Sequence, residues 1–268
     1  AQVELRQEAA LALAKIARSV VGSDAGLALS AAREAAATSD NEEVQREAQG
    51  AIDLAESMAD YVMKWGVSGP WTDPGTKREA LLHTSFLPEE DSVDNIEWAP
   101  MPSGQDPGKP WLLNLSRAIG GNDRVAYLLT YIHSPDRKPA RLELGSDDAV
   151  KVWLNNRYIH ANLVWRGVTP GDDAVPITLH PGWNELLLKV VQGSGDWGAC
   201  VRIVAPDGNS LGGLRTTTTL TAQEALERVP RPPPTPVLLW NMDRNEDGML
   251  HDASGHGGTT AAKGEPTF

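Results

Sequence analysis

Gly145-Ser-Asp-Asp-Ala-Val-Lys-Val-Trp-Leu-Asn-Asn156, continuing as Arg157-Tyr-Ile-His160, is the stretch that decides how this chain folds. Val150, Val152 and Leu154 alternate with Lys151 and Trp153, the period of a strand with one buried face. Asn155-Asn156 then separates two strand-like runs. Paired asparagines tolerate the positive φ of a two-residue hairpin turn, so the backbone is predicted to double back there.

The same texture extends outward from this hairpin. Strands are predicted near 60–68, 95–101, 111–117, 124–133, 139–145, 149–154, 157–162, 174–180, 184–192 and 198–205. Leu142 and Leu144 repeat the alternation. His180-Pro-Gly-Trp183 and Pro206-Asp-Gly-Asn209 place Pro and Gly where a chain reverses. Many short strands separated by turn signals indicate an antiparallel sandwich or barrel.

These residues carry a family resemblance. Gly145–Asn156 is similar to the "DD-x-V-x-V-W-L-N-G" hairpin of galactose-binding-like domains, with Asn156 where the family usually has Gly. Gly182-Trp-Asn-Glu-Leu-Leu-Leu-Lys-Val190 resembles the "L-x-x-G-x-N-x-L-x-V-K-V" strand pair, and Tyr158-Ile-His160 and Val175-Pro-Ile-Thr-Leu179 continue the likeness. Trp65-Gly-Val-Ser-Gly-Pro-Trp71 and Phe86-Leu-Pro-Glu89 look like the usual entry to such a domain in multidomain exported bacterial proteins. The resemblance covers residues 59–215 and implies a jelly-roll β-sandwich of the kind that flanks many glycoside hydrolases. It implies a fold, and function must come from a site.

On the N-terminal side the composition changes. Residues 2–58 are rich in Ala, Glu, Leu and Arg and hold no Pro, which favours helix. Leu5, Ala9, Leu11, Leu13 and Ile16 recur at helical spacing and predict one packed apolar stripe. Gly22-Ser-Asp24 ends the first helix, and Ser23 or Asp24 is placed to cap a second; Ser39 with Glu42, or Asp40 with Glu43, has the spacing of a capping box for a third. Residues 1–58, above all Asp40-Asn-Glu-Glu-Val44 through Ile52, resemble the last repeats of a HEAT-like solenoid. A plain three-helix cap on the next domain fits them equally well.

On the C-terminal side, residues 216–236 are predicted to hold a short helix and a linker. Thr221-Ala-Gln-Glu224 has capping-box spacing, and Pro230-Arg-Pro-Pro-Pro-Thr-Pro236 must be extended. In 237–268, Asp243, Asn245 and Asp247, followed by Gly248, look like the opening of a calcium loop. The twelfth position is Ser254 and lacks the closing carboxylate. Trp240-Asn-Met-Asp243 and Asp252-Ala-Ser-Gly-His-Gly257 resemble the start of a concanavalin-like, LamG-type domain. This stretch is expected to be a partial LamG-like segment or an arm that docks on another subunit. The chain opens within a helical pattern without an initiating Met, as expected of a piece of a longer protein.

Composition narrows the partners. A net charge of −12 repels phosphate backbones, so nucleic acid is not expected. No apolar run is long enough to span a membrane. Cys200, the one cysteine, sits in a strand-like run without an activating neighbour and is expected to be a buried structural thiol.

All nine tryptophans lie after residue 60. The apolar face of a pyranose stacks on Trp while Asp, Asn and Arg bind its hydroxyls. Trp165 with Arg166, Trp197 with Asp196, and Trp71 are the candidate platforms, because each lies beside Gly or Pro in a loop. Each can equally plug an end of the sandwich. Asp147-Asp148 and Asp172-Asp173 are candidate ligands of a structural calcium, the one cofactor expected if any is. Exposed turn aspartates are the plainer alternative. His133, His160 and His180 lack metal-ligand spacing, and no nucleophile elbow, phosphate loop or dinucleotide fingerprint occurs.

The expectation is a mainly β protein, an antiparallel jelly-roll sandwich with a helical cap and an extended tail. It is expected to be a non-catalytic accessory module of an extracytoplasmic bacterial protein, binding carbohydrate through loop aromatics. The rivals are an assembly subunit making only protein–protein contacts, through the tail among others, and an accessory part of an enzyme whose catalytic domain lies outside this chain.

Overall fold

The computed structural model describes residues 2–90, 93–104, 106, 108–230, 249–251 and 259–261. It divides into two compact units, residues 1–230 and 231–268. No described helix is long and apolar enough to cross a membrane.

Three helices open the first unit: α1 (Gln2–Val20), α2 (Ala25–Thr38) and α3 (Glu42–Ser57). Asp24 caps α2 by accepting the Leu27 N–H at 2.9 Å. The cap of α3 is Asn41, whose side chain accepts the N–H groups of Glu43 and Val44, and not Ser39 or Asp40. Ser39 is held one step earlier, where its Oγ accepts from the Asn41 N–H. The stripe that packs also differs from the expected one. Ala14, Ala35 and Ala48 form one layer between the helices, and Ala17, Ala32 and Ala51 form the next. Of the expected stripe, Leu13 packs against the first layer, whereas Leu5, Ala9 and Ile16 face outward. Alanine layers let helix backbones approach closely but bury little area, so the trio leans on the next element. Val21, Ala28, Ala55 and Met58 join the core of the β region. Gly22 is where a loop crosses the helices: a Cβ there would lie 2.2 Å from Gly104 Cα.

The β region is an antiparallel two-sheet sandwich, and the protein is mainly β. In chain order its elements are β1 (Gly66–Trp71), α4 (Arg78–His83), α5 (Leu87–Glu90), β2 (Ala99–Pro100), β3 (Leu113–Asn114), α6 (Leu115–Ala118), β4 (Arg124–Ser134), β5 (Lys138–Asp147), β6 (Val150–Leu154), β7 (Arg157–Asn162), β8 (Asp173–Leu179), β9 (Gly182–Gln192), β10 (Gly198–Val204), β11 (Arg215–Thr217) and α7 (Ala222–Leu226). The larger sheet runs β2-β1-β4-β9-β6-β7, with β11 also on β4; the smaller runs β3-β10-β5-β8. The chain therefore changes sheet at β2–β3, β3–β4, β4–β5, β5–β6, β7–β8, β8–β9, β9–β10 and β10–β11, the crossing habit of a jelly roll. Leu128, Ile132, Leu186, Leu188 and Val190 from one sheet meet Leu142, Leu144, Val201 and Ile203 from the other in the shared core.

Asn155 and Asn156 have φ of 52° and 61°, as the hairpin between β6 and β7 requires. Asn155 does more than turn. Its amide donates to Asn184 Oδ1 at 3.0 Å and its Oδ1 accepts the Glu185 N–H at 2.9 Å, tying the hairpin to β9.

Three strand expectations need correction. Residues 60–65 are not a strand: Tyr61 makes a single bridge to Arg202, and pairing begins at Gly66. Pairing near 95–101 shrinks to two residues, and the 111–117 stretch turns helical at Leu115. The larger departure is a third layer. Val125, Tyr127, Leu129 and Tyr131 on the outer face of β4, with Trp183, Leu187 and Val191 on β9, are also buried. Leu81 and Leu82 of α4, Val93, Phe86, Trp71 and Trp98 cover them. Apolar runs such as Val125–Leu129 are what a strand buried on both faces needs.

Residues 216–230 are part of this unit. β11 pairs with β4, and the Thr221–Glu224 capping box is formed as its spacing predicts. The strap after α7 bonds to β9 through Trp183 N–H to Glu227 O and Val229 N–H to Trp183 O, both 2.9 Å. In the second unit, β12 (Met249–His251) pairs antiparallel with β13 (Thr259–Ala261). Most of the proline run, the LamG-like stretches Trp240–Asp243 and Asp252–Gly257, and the candidate calcium residues Asp243, Asn245 and Asp247 lie outside the described residues.

Candidate functional site

One end of the sandwich gathers the turn between β5 and β6, the loop from β7 to β8, the loop from β9 to β10, and the start of α4. Trp165, in the second of these, keeps 43% of its surface exposed. The Arg78 guanidinium lies over its ring, 4.6 Å from the centroid. Arg78 Nη1 also stands 3.7 Å from Asp148 Oδ2, which accepts the Gly193 N–H at 3.0 Å. Arg78 thus links an exposed indole to a buried carboxylate. Gly193 makes room for this: a Cβ there would lie 2.5 Å from Arg78 Cδ and 3.0 Å from Asp148 Oδ2.

Asp147 and Asp148 are both buried and are joined by a cis peptide bond. Burial, with Asp148 and Asp196 as further negative neighbours, pushes the Asp147 carboxyl up to about 7. The turn is fixed by Ser146 Oγ, which donates to Asp148 O at 2.7 Å, and by Asp148 N–H, which donates to Val191 O at 3.0 Å. Asp196 is exposed on the neighbouring loop.

The second aspartate pair belongs to a different cluster. Arg166 donates to Asp173, and to Ser146 O and Oγ at 3.3 Å, and stands 3.4 Å from Asp172. Asp173 also accepts from Asn162 Nδ2 at 2.7 Å and faces His160 Nε2 at 3.5 Å. Burial alone would raise the Asp173 carboxyl, but the bonds from Arg166 and Asn162 hold it below the usual carboxylate range. Arg166 therefore braces the loop that carries Trp165, and its charge is already spent on protein partners. The two aspartate pairs do not join into one shell. Among the described residues no three His, Cys, Asp or Glu side chains gather closely enough to hold a metal ion.

Two of the three candidate tryptophans are not platforms. Trp197 is 2% exposed and packs in the core between the sheets. Trp71 lies in the outer layer, with its ring centroid 6.0 Å from Phe86 and 6.3 Å, edge-on, from Tyr127. Trp153 is half-buried against the same layer. Cys200 is buried, and burial pushes its thiol up to about 12, which suits a structural role. Of the residues expected to bind, Trp165, Asp196, Asp147 and Asp148 share the loop end. Arg78 and Gly193 join them without any sequence signal of their own.

A separate polar knot lies under α4 and α5. Lys189 on β9 is fully buried and donates to Thr84 O at 2.5 Å, Glu89 Oε1 at 2.7 Å and Leu82 O at 3.3 Å. The Tyr127 hydroxyl donates to the same Glu89 oxygen. Every donor of Lys189 is used, so this cluster anchors the outer layer and presents nothing to a ligand.

No protein-family profile matches this chain, and no curated protein does. Among solved structures, the PA14 domain of the MpAFP antifreeze protein is similar over 37% of this chain and 54% of its own, at 15% identity and a TM-score of 0.30. A GH2 β-galacturonidase from Eisenbergiella tayi bound to galacturonate is similar over 52% of this chain and 23% of its own, at 12% identity and a TM-score of 0.31. A glycosyl hydrolase family 2 member from Bacteroides cellulosilyticus is similar over 53% and 20%, at 12% identity and a TM-score of 0.32. The chain thus spans about half, or less, of the length of each.

Proposed function

We propose that this chain is a non-catalytic accessory module of an extracytoplasmic protein and that it binds carbohydrate at the loop end around Trp165. The observation that carries this reading is the exposed indole held beside Arg78, Asp148 and Asp196 on one sandwich end. A sugar ring stacks on the free face of the indole, while guanidinium and carboxylates take the hydroxyls that flank it. Arg78 covers the other face and keeps the ring from turning inward. The surface is shallow, so affinity for a single sugar unit is expected to be modest.

Calcium, if the module uses it, belongs at Asp147 and Asp148. There Asp147 stands among the negative charges of Asp148 and Asp196, with Arg78 3.7 Å from Asp148 as a loose counter-charge, whereas Asp172 and Asp173 are held by Arg166. The test is a glycan array on the intact chain, with calcium and with EDTA, followed by Trp165→Ala. Binding that needs Trp165 supports the proposal, and its loss in EDTA assigns a cation to Asp147–Asp148. No glycan bound in either condition, or binding untouched by Trp165→Ala, overturns it.

A second reading, a subunit that assembles with other protein, draws support from the apolar residues that α1 leaves exposed. The two readings use different residues and are compatible.

A further inference from the structure

The outward face of α1 carries an apolar stripe that no described residue covers. Leu5 is 67% exposed and Ile16 59% exposed, and Ala9 and Ala12 between them are exposed as well. The spacing of 5, 9, 12 and 16 is four, three, four, a heptad seam with large residues at its ends and alanine at its centre. Alanine in the middle allows a second helix to come close, and the terminal Leu and Ile then close over it.

The charges beside the stripe indicate what fits it. With 9 and 16 as a and with 5 and 12 as d, the two g positions are Glu8 and Lys15, and the e positions are Arg6 and Leu13. If a second copy of α1 lies antiparallel, Leu5 meets the partner's Ile16 and Ala9 meets the partner's Ala12. Glu8 then falls beside the partner's Lys15, and Lys15 beside the partner's Glu8. The stem of Arg6 covers the partner's Leu13. A parallel pair would set Glu8 beside the partner's Leu13 and form neither ion pair. In the single chain, Lys15 stands 3.9 Å from Glu43, with more than half of each side chain exposed, a contact that yields to a better one.

We propose that the chain forms a two-fold symmetric dimer through antiparallel pairing of α1 with a second copy of itself. The interface is isologous, as closed dimers require. Its seam is about 17 Å long, from eleven steps of ~1.5 Å between residues 5 and 16, so the dimer is weak and concentration-dependent. Two copies would bring two Trp165 sites into one particle, which raises avidity on a multivalent glycan without any new contact.

Sedimentation equilibrium at low salt, over a wide concentration range, tests this on the intact chain. The wild type is expected to dimerise, and Leu5→Glu/Ile16→Glu to weaken the dimer at least about 100-fold, since four apolar side chains leave the seam. Both positions are exposed in the single chain, so the thermal melt of that variant should match the wild type and exclude misfolding. Glu8→Lys and Lys15→Glu should each weaken self-association about tenfold, because each places like charges across the seam. A mixture of these two variants should associate like the wild type. In the heterodimer, one chain is basic at both positions 8 and 15 and the other acidic at both, so opposite charges meet at each end of the seam. A wild type that stays monomeric throughout, a dimer indifferent to Leu5→Glu/Ile16→Glu, or a mixture no tighter than its components overturns the proposal.

Discussion

Replacing Lys189 by Met tests how the outer layer is held on the larger sheet. The fully buried ammonium has three protein acceptors: Thr84 O, Leu82 O and Glu89 Oε1. Two of these are carbonyls at the C-terminal end of α4, and the third lies on α5. Met fills the space left by the lysine stem, so little cavity is created and the loss is electrostatic. Glu89, buried beside it, keeps the Tyr127 hydroxyl and Lys151 at 3.9 Å but loses its main counter-charge. Breaking one partner out of a buried pair costs about 3–5 kcal/mol, and the remaining contacts of Glu89 place Lys189→Met near the lower of those figures.

Neutralising both partners should cost less than removing one. In Lys189→Met/Glu89→Gln the amide still accepts from Tyr127, no charge stays buried, and at least about half of the lost stability is expected back. Urea unfolding of the wild type, both single variants and the double variant closes the cycle. A Lys189→Met cost below about 1 kcal/mol, or a double variant less stable than Lys189→Met, refutes the idea that this pair fastens the layer. Linkage adds an independent check. Burial, opposed by Glu89, lowers the Lys189 ammonium to about 8. Its unfolded value lies near about 10.4, so the unfolded chain binds more protons between these limits. The wild type should therefore gain stability relative to Lys189→Met as pH rises from about 8 to 10.

Three further outcomes are expected. The Asp147 carboxyl sits at about 7 in the fold and near about 3.9 when unfolded, so its contribution becomes unfavourable as pH rises through that window; Asp147→Asn should match the wild type near pH 4 and exceed it by at least about 1 kcal/mol at pH 8 in thermal melts. Gly193→Ala places a methyl against the flexible Arg78 side chain; it should cost less than about 1 kcal/mol of stability but shift Arg78 off Trp165, seen as a change in tryptophan fluorescence and weaker glycan binding by calorimetry. Asn155→Gly eases the positive φ but deletes the bonds to Asn184 and Glu185; a net loss of about 1–2 kcal/mol in urea is expected, whereas an unchanged midpoint would show that the turn alone matters.

Much of the fold is written in local patterns. Val150, Val152 and Leu154 alternate, Asn155-Asn156 turns, and Thr221 with Glu224 forms the box that its spacing announces. What stayed hidden depends on which of two apolar sets packs. On α1, leucine and isoleucine suggested the inner face, yet alanines form its buried layers, with Leu13 packed at their margin, because closely crossing helices leave little room between them. On β4 and β9 the runs Val125–Leu129 and Leu186–Leu188 are apolar without a break, and that lack of alternation is itself the sign of a layer on each side. Its cover, α4 and α5, is six and four residues long, too short to show helical periodicity.

The candidate site divides along the same line. Trp165 and Trp197 look alike in sequence, each a tryptophan close to glycine in a loop. Their fates separate one residue later. Gly198 pairs at once with both Asn114 and Asp147, so Trp197 is drawn into the sandwich as β10 begins between two neighbours. Trp165 is followed by Arg166, whose guanidinium is fixed to Ser146 and Asp173, and its own segment joins no strand. The braced arginine holds the backbone down while the indole stays out. Exposure of Trp165 therefore rests on Arg166 joining Asp173, seven residues on, to Ser146, twenty residues back, and only the second of these contacts lies beyond a local window of sequence. Arg78 is the extreme case: far upstream of Asp148 in the chain, it reaches the site because Leu81 and Leu82 pack its helix on the sheet and Lys189 and Glu89 fasten it there.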